Sequence, residues 1–248
     1  MQKIKFIHEP SETEPFVVIQ KAAGLPSAPL TENDSENAFS MAAEYYPELR
    51  AINGKKPIEH GLIHRLDTAT EGLILIAATQ EFYDFMQIEQ NEGRFVKTYR
   101  AECNITKNNT EILGSFPANP VQNLIADKEN KTFSVESYFR NFGEGKKLVR
   151  PVTENSGKAA LKKMGRTKLY KTTISLNYSE SFETLEAICR IQSGYRHQVR
   201  CHLAWCNIPV IGDPLYNAIK TSSQMQFFAT GLEFKNPITD KDERYYIL

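Results

Sequence analysis

A chain of 248 residues with 41% hydrophobic content can bury a proper core, as one large domain or two small ones. No window approaches the roughly 18 unbroken apolar residues of a membrane span, and the opening MQKIKFIHEP lacks the apolar run of an export signal. The formal net charge is zero but unevenly laid out: residues 1–92 hold 7 Lys/Arg against 15 Asp/Glu, and residues 93–200 hold 19 against 10.

In chain order, Pro15 to Ile19 reads as a strand, closed by the turn Ala23-Gly24-Leu25-Pro26. Ser35 can cap a helix running to about Tyr46, with Pro47 just beyond. Residues 62–66 and 73–78 read as two strands around a polar turn from Asp67 to Gly72. Thr79 can cap a helix carrying Phe82, Phe85, Met86 and Glu89. Val96 to Cys103 alternates as a strand does. Residues 104–131 are polar and turn-rich, and Phe133 to Phe139 is a further strand. A lysine-rich stretch covers 143–170, before strands near 171–177 and 184–191. Arg196 to Cys206 has helical spacing, with Asn207 as a left-handed stop. Met225 to Phe234 and Tyr245 to Leu248 are late strands. Strands outnumber helices and most join through short turns, which implies an α+β fold with a largely antiparallel sheet.

Cysteines at 103, 189, 201 and 206 form no CxxC pair, so zinc and dithiol chemistry are not expected, and a cytoplasmic thiol protein is. With no apparent zipper or exposed apolar face, a monomer is expected.

Three constellations could carry chemistry. In Gly61-Leu62-Ile63-His64-Arg65-Leu66-Asp67, polar groups costly to bury unpaired interrupt an apolar run. Asp67 reads either as a turn-capping aspartate or as a carboxylate nucleophile or base held ionised by a guanidinium. From Arg190 to Leu203, a strand ends at a glycine turn and a helix opens amid Arg196, His197, Arg200 and His202. That cluster is either salt-bridged surface or an anion site. His197 and His202 are five apart, which is not the spacing of a helical zinc pair. Ile208 to Tyr216 reads as a Pro/Gly-punctuated turn, with no catalytic role for Asp213. Around these, Lys146, Lys147, Arg150, Lys158, Lys162, Lys163, Arg166, Lys168 and Lys171 are interrupted only by Glu154. They form a solvated loop or a polyanion-facing arm. No P-loop, dinucleotide fingerprint or GxSxG elbow is present.

Taken together, the motifs resemble those of RluA-type pseudouridine synthases. His64-Arg65-Leu66-Asp67-Thr68-Ala69-Thr70-Glu71-Gly72-Leu73 resembles the HRLDxxTSGL signature of that family. Lys97-Thr98-Tyr99-Arg100-Ala101 is similar to its KxYxA element. Gly194 to Arg200 with His202-Leu203-Ala204 resembles GRTHQIRxHLA, and Ile208 to Tyr216 resembles PIxGDPLY. Val18 to Pro26 is similar to the family's "vvnKPaGlp" opening. Five matches stand in the family's order.

The resemblance implies a catalytic domain spanning 1–248, with its core from about residue 16 and no separate module upstream. Its fold would be a mixed, largely antiparallel central sheet flanked by helices, with a central cleft. The implied activity converts a uridine in ribosomal or transfer RNA to pseudouridine, without metal or cofactor. Asp67 would be the catalytic carboxylate and Tyr99 would stack on the flipped uracil, an interaction worth roughly 1–3 kcal/mol. Arg196 would keep Asp67 ionised. Arg65 would enter the RNA stack, and His64, Arg200 and the lysines Lys158, Lys162, Lys163 and Lys168 would grip the RNA. Two departures stand out: Gly194 is followed by Tyr195 where the family has arginine, with an arginine one residue later at Arg196, so either Tyr195 fills that position or a rearranged turn lets Arg196 fill it, and Glu71 replaces a serine. Two other readings stay open, a catalytically silent RNA-binding factor and a glycoside or nucleoside hydrolase using Asp67 and Glu71.

Overall fold

The computed structural model describes residues 3–106, 113, 114, 116–121, 130–164, 168–178, 184–219 and 223–247. The chain divides into two compact units, one of Met1–Thr98 with Phe228–Leu248 and one of Tyr99–Phe227.

The first unit is built on β1 (Ile4–His8), β2 (Phe16–Lys21), β3 (Glu71–Ala77), β9 (Phe227–Lys235) and β10 (Asp242–Tyr246). Their order is β1-β2-β3-β9, with β10 antiparallel on β9. The β-branched and apolar runs of β2 and β3 pair in register from Phe16↔Ala77 to Lys21↔Gly72. The β3–β9 pairing is parallel and two residues long, Glu71↔Phe228 and Gly72↔Ala229. It demands glycine, because Gly72 has a φ of 137° and a Cβ there would lie 2.2 Å from the Ala229 carbonyl oxygen.

Helix α1 (Ala38–Tyr45) starts later than its sequence suggests. Asn37, not Ser35, is its cap, accepting from the Ser40 N–H at 2.8 Å. Helix α2 (Gln80–Asn91) is capped by Thr79 as expected. It ends at Gly93, whose φ of 74° suits a left-handed stop. Its Phe82, Tyr83 and Met86 enter a core with Phe16, Leu75, Phe95 and Phe234, where the Phe16 and Phe82 rings stack at 5.0 Å.

Residues 62–66 do not form the expected strand. A ladder would need the Leu75 N–H to reach the Ile63 carbonyl. Instead that N–H donates to His64 Nε2 at 3.2 Å, and Gln90 Nε2 donates to the Ile63 carbonyl at 2.9 Å. Only the Leu62↔Ile76 bridge remains.

The second unit orders its strands β4-β8-β7-β5-β6, from β4 (Val96–Asn104, begun in the first unit), β5 (Lys131–Phe142), β6 (Leu148–Val152), β7 (Tyr170–Tyr178) and β8 (Thr184–Ile191). The pairs β5–β6, β5–β7 and β7–β8 are antiparallel. β6 falls in the stretch read as a lysine-rich loop. Its Leu-Val-Arg-Pro-Val run buries Arg150 beneath Phe116 and Phe142, with guanidinium hydrogen bonds to the carbonyls of Leu113, Gly114 and Val149. The five-residue helix α3 (Lys158–Lys162) follows, then α4 (Gln198–Trp205), which packs Cys201 and Ala204 against Phe139, Val149, Tyr170 and Tyr216. Asn207 stops α4 with a φ of 63°. The class is α+β and largely antiparallel, as expected.

Candidate functional site

Asp67 stands half-buried on a tight turn in which the Thr70 N–H donates to its carbonyl at 2.9 Å. Long-range bonds lock the turn. The Ser27 hydroxyl accepts from the Leu66 N–H at 3.0 Å and donates to the Leu66 carbonyl at 2.8 Å. The Gly24 N–H donates to the Thr68 carbonyl at 2.8 Å. Lys21 Nζ donates to that same carbonyl at 3.2 Å, and to those of Leu25 and Ala22 at 2.7 and 2.9 Å. The turn after the apolar segment is thereby pinned to the loop after β2. Lys21 is wholly buried, and desolvation pushes its ammonium down to about 8, against the opposing pull of Asp67 and then Glu71.

Its neighbours divide in role. Arg65 is exposed beside Asp67 and ion-pairs with Glu59 at 2.7 Å. His64 does not face outward as an RNA contact. Its Nε2 accepts from Leu75, so its proton sits on Nδ1, and the ring meets Phe95 edge-on at 5.4 Å. Nδ1 is shut from water without a partner, and burial, then Lys97, holds the imidazole well below its usual range. The expectation that His64 grips RNA is therefore corrected: the ring completes the packing of β3. Glu71 accepts from Gln20 Nε2 at 3.0 Å.

In the second unit, the cluster read as salt-bridged surface or an anion site is divided: Arg200 and His202 are buried and Arg196 is exposed. Arg200 is 3% exposed, and its Nε and Nη2 each lie 2.7 Å from an Asp213 oxygen, a bidentate pair. The Leu215 and Tyr216 N–H groups also donate to Asp213 Oδ1, at 2.8 and 3.2 Å. Arg200 therefore cannot serve as an RNA contact; it joins α4 to the Gly212-Asp213-Pro214 turn. His202 bridges the Ser137 and Thr172 hydroxyls at 2.9 and 2.8 Å, and burial pushes it down to about 3. Gln198 Nε2 donates to the Lys171 carbonyl at 2.9 Å. His197, in the left-handed region at φ 57°, meets the Tyr216 hydroxyl at 3.0 Å.

Arg196 also departs from expectation. One guanidinium nitrogen donates to Asn141 Oδ1 at 3.1 Å, to the Leu148 carbonyl at 3.2 Å and to the Lys146 carbonyl. The guanidinium clamps the β5–β6 hairpin, a job that turn needs because Gly143, Gly145 and Lys146 all have positive φ. Within its own unit Arg196 is thus engaged by the hairpin, where the resemblance had implied Asp67 as its partner. Tyr195 stacks on Phe139 at 4.9 Å.

Tyr99, 8% exposed, lies parallel to Phe227 with ring centroids 5.2 Å apart. Lys158, Lys162, Lys163 and Lys168 are all exposed, whereas Arg166 lies outside the described residues. By sequence the first unit holds 12 Lys/Arg against 19 Asp/Glu and the second 18 against 11, so positive charge gathers in the second. Among the described residues no group of three or more His, Cys, Asp or Glu is placed to hold a metal ion, and no helix is long and apolar enough to cross a membrane.

Sequence reading gave no role to Lys21, Ser27 or Gln90, although Lys21 stands within the Val18 to Pro26 stretch that resembles the family's opening.

The family model for RNA pseudouridylate synthases matches residues 15–205. The ribosomal large subunit pseudouridine synthase D of Neisseria meningitidis serogroup A is 24% identical over 221 residues, covering 87% of this chain and 49% of the relative. The protein of the same name from Yersinia pestis is 25% identical over 209 residues, covering 83% and 51%. This chain thus spans about half the length of these curated relatives. The solved structure of human RNA Pseudouridylate Synthase Domain Containing 1 matches with a TM-score of 0.64 at 15% identity, over 99% of this chain and 83% of that one, a likeness of fold.

Proposed function

We infer the reaction from one premise: the chain belongs to the RNA pseudouridylate synthase family. It isomerises a uridine within RNA to pseudouridine. The N1–C1′ bond breaks, the uracil turns, C5 bonds to C1′, and the C5 proton leaves to water while N1 gains one. Nothing is oxidised or reduced. Residues 1–248 act as one catalytic domain made of the two units, and the protein works as a cytoplasmic monomer. Of the two RNA classes used in the family, ribosomal RNA is the one the relatives' names favour.

The observation that carries this reading is the Asp67 turn. A half-exposed carboxylate is presented on backbone locked by Ser27, Gly24 and Lys21, the rigid support a reacting group requires. Arg65, exposed two residues before it, enters the space the flipped uridine leaves. Unstacking that base costs a few kcal/mol, and the Tyr99 ring offsets part of the cost by stacking on the uracil. The exposed lysines from Lys158 to Lys168 hold RNA phosphates.

The test is incubation of purified protein with ribosomal RNA carrying 5-tritiated uridine. Tritium release into water is expected, and Asp67→Ala abolishes it while RNA binding stays nearly intact. Free uracil instead of tritium release would indicate a hydrolase using Asp67 and Glu71. Binding with neither product would leave a silent RNA-binding factor.

A further inference from the structure

Two like charges set directly opposite each other on paired strands destabilise a sheet. In the second unit β5 and β6 do this at Arg140↔Arg150. The two guanidiniums share one ring, Phe142, whose centroid lies 5.0 Å from Arg140 Cζ and 4.3 Å from Arg150 Cζ. Arg150 directs its donors to the carbonyls of Leu113, Gly114 and Val149. Arg140 has no such outlet: its Nε is shut from water without a hydrogen-bond partner. Burial depresses both guanidiniums below their usual value, and Arg140 also acts against Arg150. Among the described residues no carboxylate offsets either one.

Arg140 lines a cavity of about 600 Å³ that lies wholly within this unit, a volume in the range of small-molecule sites. Phe116, Pro117, Pro151 and Trp205 give it apolar walls. Asn155, also in the lining, presents an exposed amide able both to donate and to accept. The lining carboxylate, Glu136, faces Lys171 at 3.5 Å. Ala160 of α3 completes the wall, and the exposed Lys158 and Lys162 belong to the same short helix. We propose that this cavity is a nucleotide subsite for RNA: one unpaired nucleotide enters it, with its phosphate on Arg140, its base against the apolar walls and the Asn155 amide on the base edge. A phosphate suits the fork of a guanidinium, and the flat face of a base suits rings and prolines. Apolar walls favour a base over the short side chains of an acidic peptide. The phosphate would also offset the repulsion between the two opposed arginines. The inference rests on the substrate being RNA, and adds a place where a nucleotide other than the reacting uridine is held.

Trp205 is the only tryptophan of the chain, so its emission reports on this cavity. The experiment titrates the full chain with a short single-stranded RNA of mixed sequence, adenosine 5′-monophosphate, inorganic phosphate and a glutamate-rich peptide. Trp205 emission is followed throughout, and RNA affinity is measured in parallel by anisotropy. RNA should quench the emission saturably, and the mononucleotide should do so only at higher concentration. Arg140→Gln should raise the RNA concentration for half-quenching about 10-fold, the scale of one charge-assisted hydrogen bond. Because the substitution removes an opposed charge, its urea midpoint should hold or rise. Asn155→Ala should weaken RNA binding while leaving its salt dependence unchanged, since an amide neutralises no phosphate.

RNA binding that leaves Trp205 emission unchanged, or Arg140→Gln with wild-type RNA affinity, overturns the proposal. If Arg140→Gln loses stability, Asn155→Ala decides, and wild-type RNA affinity in that variant overturns it. Quenching by another probe at concentrations as low as those of RNA also overturns it: phosphate would mark an anion site only, the mononucleotide a site for a free nucleotide, and the peptide a protein-docking site. If the protein releases no tritium from ribosomal RNA while RNA still quenches Trp205, the reaction assigned to it fails and the subsite stands. Tritium release without quenching does the reverse.

Discussion

Breaking the Arg200–Asp213 pair from either side strands a charge where no water reaches it, since the two side chains are 3% and 0% exposed. Asp213→Ala should therefore destabilise the protein by about 3–5 kcal/mol in urea titrations, whereas RNA affinity per folded molecule should hardly change. A loss of affinity without loss of stability would restore Arg200 as an RNA contact. Tyr99 tests the opposite kind of residue. Tyr99→Phe keeps the stack on Phe227 and should bind RNA nearly as wild type does. Tyr99→Leu removes the ring face and should weaken binding by roughly 1–3 kcal/mol. Equal, mild effects of both would make Tyr99 only a strand residue. At this scale the sequence identifies which residue types matter but not which way they point. Arg196, His197, Arg200 and His202 fall within seven positions, and only the tertiary partners reveal that Arg200 and His202 are buried on Asp213 and Thr172 and His197 meets Tyr216, while Arg196 stays exposed and bonds to Asn141.

Among the elements, local chemistry was legible wherever one signal dominated. Thr79 announced α2 and Asn207 stopped α4, because a cap and a left-handed residue act over one turn. The failures share a cause. Residues 62–66 have a strand's composition, yet His64 and Gln90 take the ladder's hydrogen bonds with side chains from 11 and 27 positions away in sequence. β6 was hidden by the charge around it, because Arg150 is satisfied by distant carbonyls and rings. Helix α3 and the residue after it present Lys158, Lys162 and Lys163 to solvent, with Lys168 beyond. Replacing all four with glutamine should leave thermal stability nearly unchanged. It should also flatten the salt dependence of RNA binding, lowering the log–log slope by about 0.7 for each phosphate of single-stranded RNA that is no longer neutralised. An unchanged slope would reduce the stretch to a solvated loop.

The stability of the whole molecule should respond to pH in a range where most proteins are indifferent. His202 in the second unit is held down to about 3 by burial, and His64 in the first is held well below its usual range by burial and Lys97. Both are neutral when folded, while in the unfolded chain each takes a proton near pH 6.5. Below that point the unfolded state binds more protons, so stability present at neutral pH is lost as pH falls. The loss is about 1.4 kcal/mol per pH unit for His202, and His64 adds to it in the same direction. Urea unfolding at pH 7.5, 6.5, 5.5 and 4.5 should therefore show a steady decline beginning near 6.5. His202→Gln keeps a donor and an acceptor for Ser137 and Thr172 but cannot be protonated, so it should start less stable and decline with a shallower slope. A flat profile between pH 5 and 7 in wild type, or an unaltered slope in His202→Gln, would mean that these imidazoles gain protons without unfolding. His202 would then have to keep both hydroxyl partners as a double donor, which its Ser137 and Thr172 oxygens can accept only by turning their own hydrogens elsewhere in a buried site.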